Sequence, residues 1–197
     1  HYYIKKVLAT FTSYFYIGLP LFLFWYFYDK KNAANSPHSF YGLTFKNWHW
    51  QPYFIIVGFI FVGISIAAVL LPQLTAYYPT LKVQQMQGFS LLNLNWAFAI
   101  YEFIYGCFYT WAEVLMRGFL VIGMTQLLGR RSIMPMVSMY LFFHLAKPPA
   151  EAISSLLGGY ILGVIAYESR NITGGVLLHA SVAVTMDVAA RIVLLFI

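Results

Sequence analysis

The sequence predicts an all-α membrane protein: a polytopic helical bundle with six, or seven, transmembrane helices. Of the 197 residues, 61% are hydrophobic and only 9% are charged, whereas a soluble domain carries about 25% charged residues. Several uncharged apolar runs also reach the roughly 20 residues that a spanning helix needs. The composition therefore excludes an ordinary soluble domain.

Six apolar segments account for the predicted helices. In chain order they are residues 7–28, 53–71, 95–128, 133–146, 152–167 and 173–197. The third segment is long enough to hold two helices, at 89–108 and 109–128, which would raise the count to seven. The fourth and fifth segments are short, so we expect them to be tilted or paired inside the bundle.

The net charge of +6 does not indicate nucleic-acid binding. The basic residues flank the apolar segments, where membrane proteins place them. They include Lys5, Lys6, Lys30, Lys31, Arg130, Arg131 and Arg170. We therefore expect membrane lipid, and no nucleic acid, among the partners.

The side chains capable of chemistry are concentrated in the second half of the chain. We divide one membrane domain into an N-terminal scaffold, residues 1–94, and a motif-bearing core, residues 95–197. The single cysteine, Cys107, excludes an intrachain disulfide and a cysteine-based metal site.

Charged residues inside the apolar segments are costly and therefore informative. An ionised side chain at the centre of a bilayer costs about 2.5–3.5 kcal/mol, so such groups are usually paired and face the bundle interior. Glu113 and Arg117 lie four residues apart in the stretch WAEVLMRGF, which predicts an ion pair on one helix face. The other candidates are Glu102, Glu151, Asp187, His144 and His179.

The sequence Lys147-Pro148-Pro149 separates His144 from Glu151. Proline interrupts a helix, and the residue before it is also driven out of helical conformation. A second proline is well suited to the first turn of the next helix. We therefore expect His144 at a helix end beside an irregular segment, which a membrane protein tolerates where it lines a polar cavity.

Three interpretations of these residues remain open at this point. Glu113, His144 and His179 lie on separate predicted helices and are suited to activating water in a dry cavity. The same three side chains could form a His₂Glu zinc site, although the helical H-E-x-x-H signature is absent. Alternatively, the ion pair and the histidines only fasten helices together.

The order of these motifs resembles the CPBP family of CAAX proteases and bacteriocin-processing enzymes, also called the Abi family. The residues that carry the resemblance are WAEVLMRGF, then YLFFH, then LAKPPAEAISSLLGGYILGVIAYESRNITGGVLLH. The family pattern is a Glu-Glu-x-x-x-Arg helix, a Phe-x-x-x-His helix and a later His-x-x-x-Asn. The resemblance covers residues 95–187, about half of the chain.

The resemblance implies a role for each matched residue. Glu113 and His144 would hold and activate the attacking water, Arg117 would orient Glu113, and His179 would stabilise the oxyanion. Glu102, Glu151 and Asp187 would be supporting residues.

Three positions depart from the family pattern. Ala112 stands where the family has the first glutamate, and Tyr140 stands where it has phenylalanine. Ala183 replaces the asparagine, with Asp187 one turn further on as a polar substitute on the His179 side of the helix.

The implied function is an intramembrane endopeptidase that cleaves a membrane-associated peptide or protein without a cofactor, zinc being the less favoured variant. The alternative is a catalytically degenerate family member that serves as a membrane scaffold or as a regulatory subunit beside a partner membrane protein. The resemblance further implies a prokaryotic cytoplasmic membrane as the location.

Overall fold

A computed structural model describes residues 2–30, 39–46, 49–82 and 91–196. These residues form helices and turns and contain no strand, which confirms the all-α class. The helices are α1 (Tyr2–Phe24), α2 (Gln51–Leu70), α3 (Pro72–Tyr77), α4 (Leu91–Glu113), α5 (Thr125–Leu128), α6 (Ile133–His144), α7 (Pro149–Ser169) and α8 (Thr173–Phe196). A π-helical turn, Trp25–Asp29, follows α1, and a longer π-helical stretch, Val114–Gly123, continues α4.

Within the described residues, four helices are long and apolar enough to cross a membrane on their own: Tyr2–Asp29, Gln51–Leu70, Pro149–Ser169 and Thr173–Phe196. A fifth candidate is the pair Leu94–Gly123 and Thr125–His144, which is bent by 41°. The protein is therefore an integral membrane protein with four, or up to five, candidate spans. The difference from the predicted six arises because α6 has only 12 residues, too few to cross alone.

Helix α2 shows the surface that a lipid environment requires. Its residues are almost all apolar, and the side chains of Phe59 and Val69, for example, are 76% and 63% exposed. A soluble monomer rarely exposes such a continuous apolar face. Lipid contact explains this exposure.

The chain forms two compact units that interleave along the sequence. Unit 1 comprises His1–Phe15, Gln51–Thr110 and Leu178–Ile197, and unit 2 comprises Tyr16–Trp50 and Trp111–Leu177. The division into residues 1–94 and 95–197 by motif content stays a prediction.

Unit 1 has two small apolar cores. The first contains Leu81, Ala97, Phe98 and Tyr101, and the second contains Leu74, Tyr78 and Ala190. The segment from α3 to Leu81 therefore packs against both α4 and the C-terminal half of α8.

Unit 2 has a larger core around the π-helical stretch. One cluster contains Leu21, Tyr41, Val114, Ile122, Ala166 and Ile172, and another contains Met116, Val121, Ile133, Met136, Val137 and Tyr140. Tyr41 has a left-handed backbone (φ 49°) and packs directly on Gly118, where a Cβ atom would lie 2.8 Å from both the Cβ and the carbonyl oxygen of Tyr41. This close approach requires glycine next to Arg117.

The predicted break after His144 is confirmed. Helix α6 ends at His144, and α7 begins at Pro149 after an extended Pro148 (φ −52°, ψ 142°). Proline at the first helical position loses no hydrogen bond, because that N–H would have no partner within the helix. The break leaves Glu151 in the first turn of α7.

Candidate active site

The Glu113–Arg117 pair is confirmed and is almost completely buried. Arg117 Nη1 donates a hydrogen bond of 2.6 Å to Glu113 Oε1, and the two side chains are 1% and 0% exposed. Arg117 lies in the π-helical stretch, where i→i+5 hydrogen bonding widens the turn, a feature that is common at functional sites. A buried carboxylate needs such a cation, because an uncompensated charge there is strongly destabilising.

The second oxygen of Glu113 faces the start of α8. A Cβ atom on Gly175 would lie 2.8 Å from Glu113 Oε2, which is closer than ordinary packing allows. Glycine at this position therefore allows the close approach of the first turn of α8 to Oε2, while Arg117 holds Oε1. The carboxylate has one oxygen fixed by an ion pair and one oxygen next to a residue without a side chain.

The ring of Tyr140 contacts both Arg117 and His144. The Arg117 guanidinium lies 4.3 Å from the centre of the Tyr140 ring, and the ring centroids of Tyr140 and His144 are 4.4 Å apart. On another side, a Cβ atom on Gly159 would lie 2.8 Å from Tyr140 Cδ1. The Tyr140 ring is therefore held in place by α7 and packs against both the arginine and the histidine.

His144 has a defined hydrogen-bonding state. Its Nδ1 lies 2.8 Å from the carbonyl oxygen of Tyr140, and a carbonyl oxygen only accepts, so Nδ1 carries the proton. In the neutral imidazole, Nε2 is then the nitrogen with the lone pair. The side chain is half-buried at the end of α6, so Nε2 is the atom that could hold or deprotonate a water molecule.

Glu151 belongs to the connection between α6 and α7. Its Oε1 lies 3.3 Å from Lys147 Nζ, and its backbone N–H donates to the carbonyl of Pro148. A carboxylate in the first turn of a helix also complements the helix dipole. These contacts give Glu151 a structural role in the turn that holds His144.

His179 lies in unit 1 and packs against a tyrosine. It is 9% exposed, and its ring centroid lies 4.4 Å from that of Tyr109. The Tyr109 hydroxyl in turn donates to the Tyr105 hydroxyl at 2.7 Å. Sequence reasoning missed this tyrosine pair, although Tyr105 and Tyr109 are spaced to share one helix face.

Asp187 and Glu102 also lie in unit 1 and are buried, at 0% and 6% exposure. Asp187 Oδ2 accepts hydrogen bonds from the backbone N–H of Thr80 at 2.9 Å and from the Thr80 hydroxyl at 2.5 Å. Asp187 is therefore bound to the segment after α3. In the family pattern, asparagine stands at the position of Ala183. The role of Asp187 as a substitute for that asparagine stays a prediction.

The structure thus sorts the seven predicted site residues into two groups. Unit 2 contains Glu113, Arg117, His144 and Glu151, and unit 1 contains Glu102, His179 and Asp187. Sequence reasoning missed Tyr140 as the contact between Arg117 and His144, and it missed Gly175 beside Glu113. The available signals were the tyrosine four residues before His144 and the glycine pair four and five residues before His179.

The zinc site considered from the sequence stays a prediction. Among the described residues, no group of three or more His, Cys, Asp or Glu side chains is arranged to hold a metal ion. Glu113 Oε1 is occupied by Arg117, and His144 Nδ1 is occupied by a backbone carbonyl.

The comparison with protein families identifies the motif-bearing region. Residues 110–185 match the family described as "Type II CAAX prenyl endopeptidase Rce1-like". This match confirms the resemblance to CAAX proteases over the segment that holds Glu113, Arg117, His144 and His179. Neither the search of curated proteins nor the search of solved structures returned a match.

Proposed function

We propose that the protein is an intramembrane endopeptidase in which Glu113 is the general base. The observation that carries the proposal is the buried Glu113 carboxylate, held at one oxygen by Arg117 at 2.6 Å inside the Rce1-like segment. The family match supports action on a membrane-associated protein or peptide. We further propose that the protein lies in a prokaryotic cytoplasmic membrane and has a partner membrane protein. Both parts rest on the resemblance alone.

In the proposed reaction, a water molecule is deprotonated by Glu113 Oε2 beside Gly175 and held by Nε2 of His144. The hydroxide attacks the scissile carbonyl carbon to give an oxyanion, for which the family resemblance alone implies His179 as the hydrogen-bond donor. Glu113, now protonated, delivers the proton to the leaving amine. Arg117 keeps the carboxylate oriented, and Ala112 leaves Glu113 as the first-motif carboxylate in this chain.

The test uses the protein in lipid vesicles with a fluorogenic, farnesylated peptide that ends in a Cys-aliphatic-aliphatic-X sequence. Gly175→Ala places a methyl group against Glu113 Oε2 and should lower turnover at least about tenfold, a loss of about 1.4 kcal/mol of transition-state stabilisation. The matched control is Gly158→Ala, because nothing lies within 4 Å of a Cβ atom there. Turnover unchanged in both variants would contradict water activation at Oε2.

His144→Ala separates the protease proposal from a scaffold role. General acid–base residues typically contribute 10²–10⁴-fold, so we expect a loss of at least about 10²-fold with the thermal unfolding midpoint retained. A scaffold would show no cleavage by any variant. A chelator should leave turnover unchanged, and inhibition that added zinc reverses would overturn the metal-free mechanism.

A further inference from the structure

Unit 1 contains a pair of buried carboxyl groups that the proposed reaction does not use. Glu102 lies on α4 and Asp187 lies on α8, 85 positions apart in the sequence. The two carboxyl groups lie within hydrogen-bonding range of each other. Both are at least nine-tenths buried.

The surroundings of the two carboxyl groups differ. Asp187 Oδ2 accepts two hydrogen bonds from Thr80, and the Thr80 hydroxyl is also 3.1 Å from the hydroxyl of Tyr101. Neither oxygen of Glu102 accepts a hydrogen bond from an N–H or O–H group in the described part of the chain. The donors therefore stabilise a negative charge on Asp187 and none on Glu102.

The other charged and titratable groups around the pair do not change this assignment. Arg191 acts on Glu102 through its charge, but its Nη2 donates to Asn95 and its guanidinium lies 4.2 Å from the centre of the Phe98 ring. Lys82 likewise acts on Asp187 by charge while its Nζ donates to the carbonyls of Ala76 and Tyr77. Tyr101 and Tyr105, also close to Asp187, are neutral phenols.

Two adjacent carboxyl groups out of contact with water cannot both be ionised without a large cost, and they form a hydrogen bond only if one of them holds a proton. We propose that Glu102 and Asp187 form a one-proton site in which protonated Glu102 donates to the Asp187 carboxylate. The site ties α4 to α8 and, through Thr80, to the segment after α3. Its ligand is a proton, and the site is separate from the Glu113 centre in chemistry and in function.

The proton is directly observable by infrared spectroscopy of the full chain in lipid vesicles at neutral pH. The chain has only six acidic side chains, and the C=O stretch of a protonated carboxyl is distinct from that of a carboxylate. We expect one protonated carboxyl band in the unmodified protein. Glu102→Gln should abolish it, whereas the control Glu168→Gln, at an exposed position, should leave it unchanged.

Glu102→Gln should also fold normally, because the glutamine amide donates the same hydrogen bond to Asp187 that the protonated acid does. Absence of the band in the unmodified protein would overturn the proposal, as would its persistence in Glu102→Gln. Unfolding of Glu102→Gln under conditions where Glu168→Gln is folded would also overturn it. Loss of the band when potassium chloride in the buffer is replaced by sodium chloride would also overturn the proposal, because the site would then bind a metal cation instead of a proton.

Discussion

Each unit buries one glutamate of helix α4, and the two units neutralise their glutamates in different ways. In unit 2, Glu113 is held by Arg117 at 2.6 Å with both side chains essentially inaccessible to water. In unit 1, Glu102 faces the carboxyl group of Asp187 and accepts no hydrogen bond from a described N–H or O–H group. One glutamate is matched by a cation, and the other by an acid.

The difference decides what each glutamate can do. A carboxylate paired with arginine stays ionised although it is buried, so it can accept a proton from water. A carboxyl that shares a proton with a second carboxyl is a hydrogen-bond donor and cannot act as a base until that proton leaves. Under the two proposals, Glu113 in unit 2 therefore serves as a catalytic base, whereas Glu102 in unit 1 serves as a structural contact.

Removal of the cation from unit 2 should give the largest effect on stability. Arg117→Met leaves the Glu113 carboxylate buried without its partner, which typically costs about 3–5 kcal/mol. The double variant Glu113→Leu with Arg117→Met removes both charges and should recover most of that loss. Thermal unfolding in detergent would measure the difference.

If the single and double variants unfold at the same temperature, the ion pair is not the reason that Glu113 tolerates burial. The comparison between the two units would then fail at its first step. Both variants should be inactive on the farnesylated peptide, so stability and activity are separated within one series.

Two adjacent glycines test the contact from Arg117 to His144. Gly159→Ala drives a methyl group to 2.8 Å from Tyr140 Cδ1, and overpacking of this kind typically costs about 1–3 kcal/mol. Gly158→Ala meets nothing within 4 Å and should be neutral or more stable by up to about 1 kcal/mol, because alanine favours a helix over glycine. Unfolding midpoints and turnover of the two variants provide the measurement.

Only Gly159→Ala of this pair should lower turnover beyond its effect on the folded fraction, because Gly159 packs on the Tyr140 ring, which contacts both Arg117 and His144. Equal behaviour of the two alanine variants would remove Tyr140 from the account as a positioning residue. Tyr140→Phe, which restores the residue of the family pattern, should retain most of the activity.

The partly exposed ion pair in unit 2 should give the smallest effect. Lys147 Nζ and Glu151 Oε1 are 3.3 Å apart, but their side chains are 19% and 10% exposed, and such pairs are usually worth about 0.2–1 kcal/mol. Lys147→Met should therefore lower stability slightly, and the effect should shrink in high salt. A loss as large as that of Arg117→Met would show that the turn before α7 is as critical as the buried pair.

The sequence predicted the features that depend on local spacing. The Glu113–Arg117 pair follows from a separation of four residues, and the end of α6 at His144 follows from two successive prolines. The number of spans could not be read in the same way, because hydrophobicity alone does not show that α6 is a short segment at a 41° bend.

The long-range contacts were beyond prediction from one sequence. The sequence identifies Glu102 as a charged residue in an apolar segment, but nothing in the pattern shows that its partner is Asp187 on another helix. The same holds for Gly175, since its position beside the Glu113 carboxylate is set by the packing of residues 173–177 within unit 2. These contacts are set by packing rather than by local spacing.

The measurement that tests the central claim most directly is the initial rate of peptide cleavage by three chains in parallel: the unmodified protein, Glu113→Gln and Ala112→Glu. If Glu113 is the base, the unmodified protein cleaves the farnesylated peptide, Glu113→Gln loses at least about 10²-fold, and Ala112→Glu adds little. An inactive unmodified chain that gains cleavage with Ala112→Glu would contradict the claim, because Glu113 would then be insufficient without the glutamate that usually precedes it in the family.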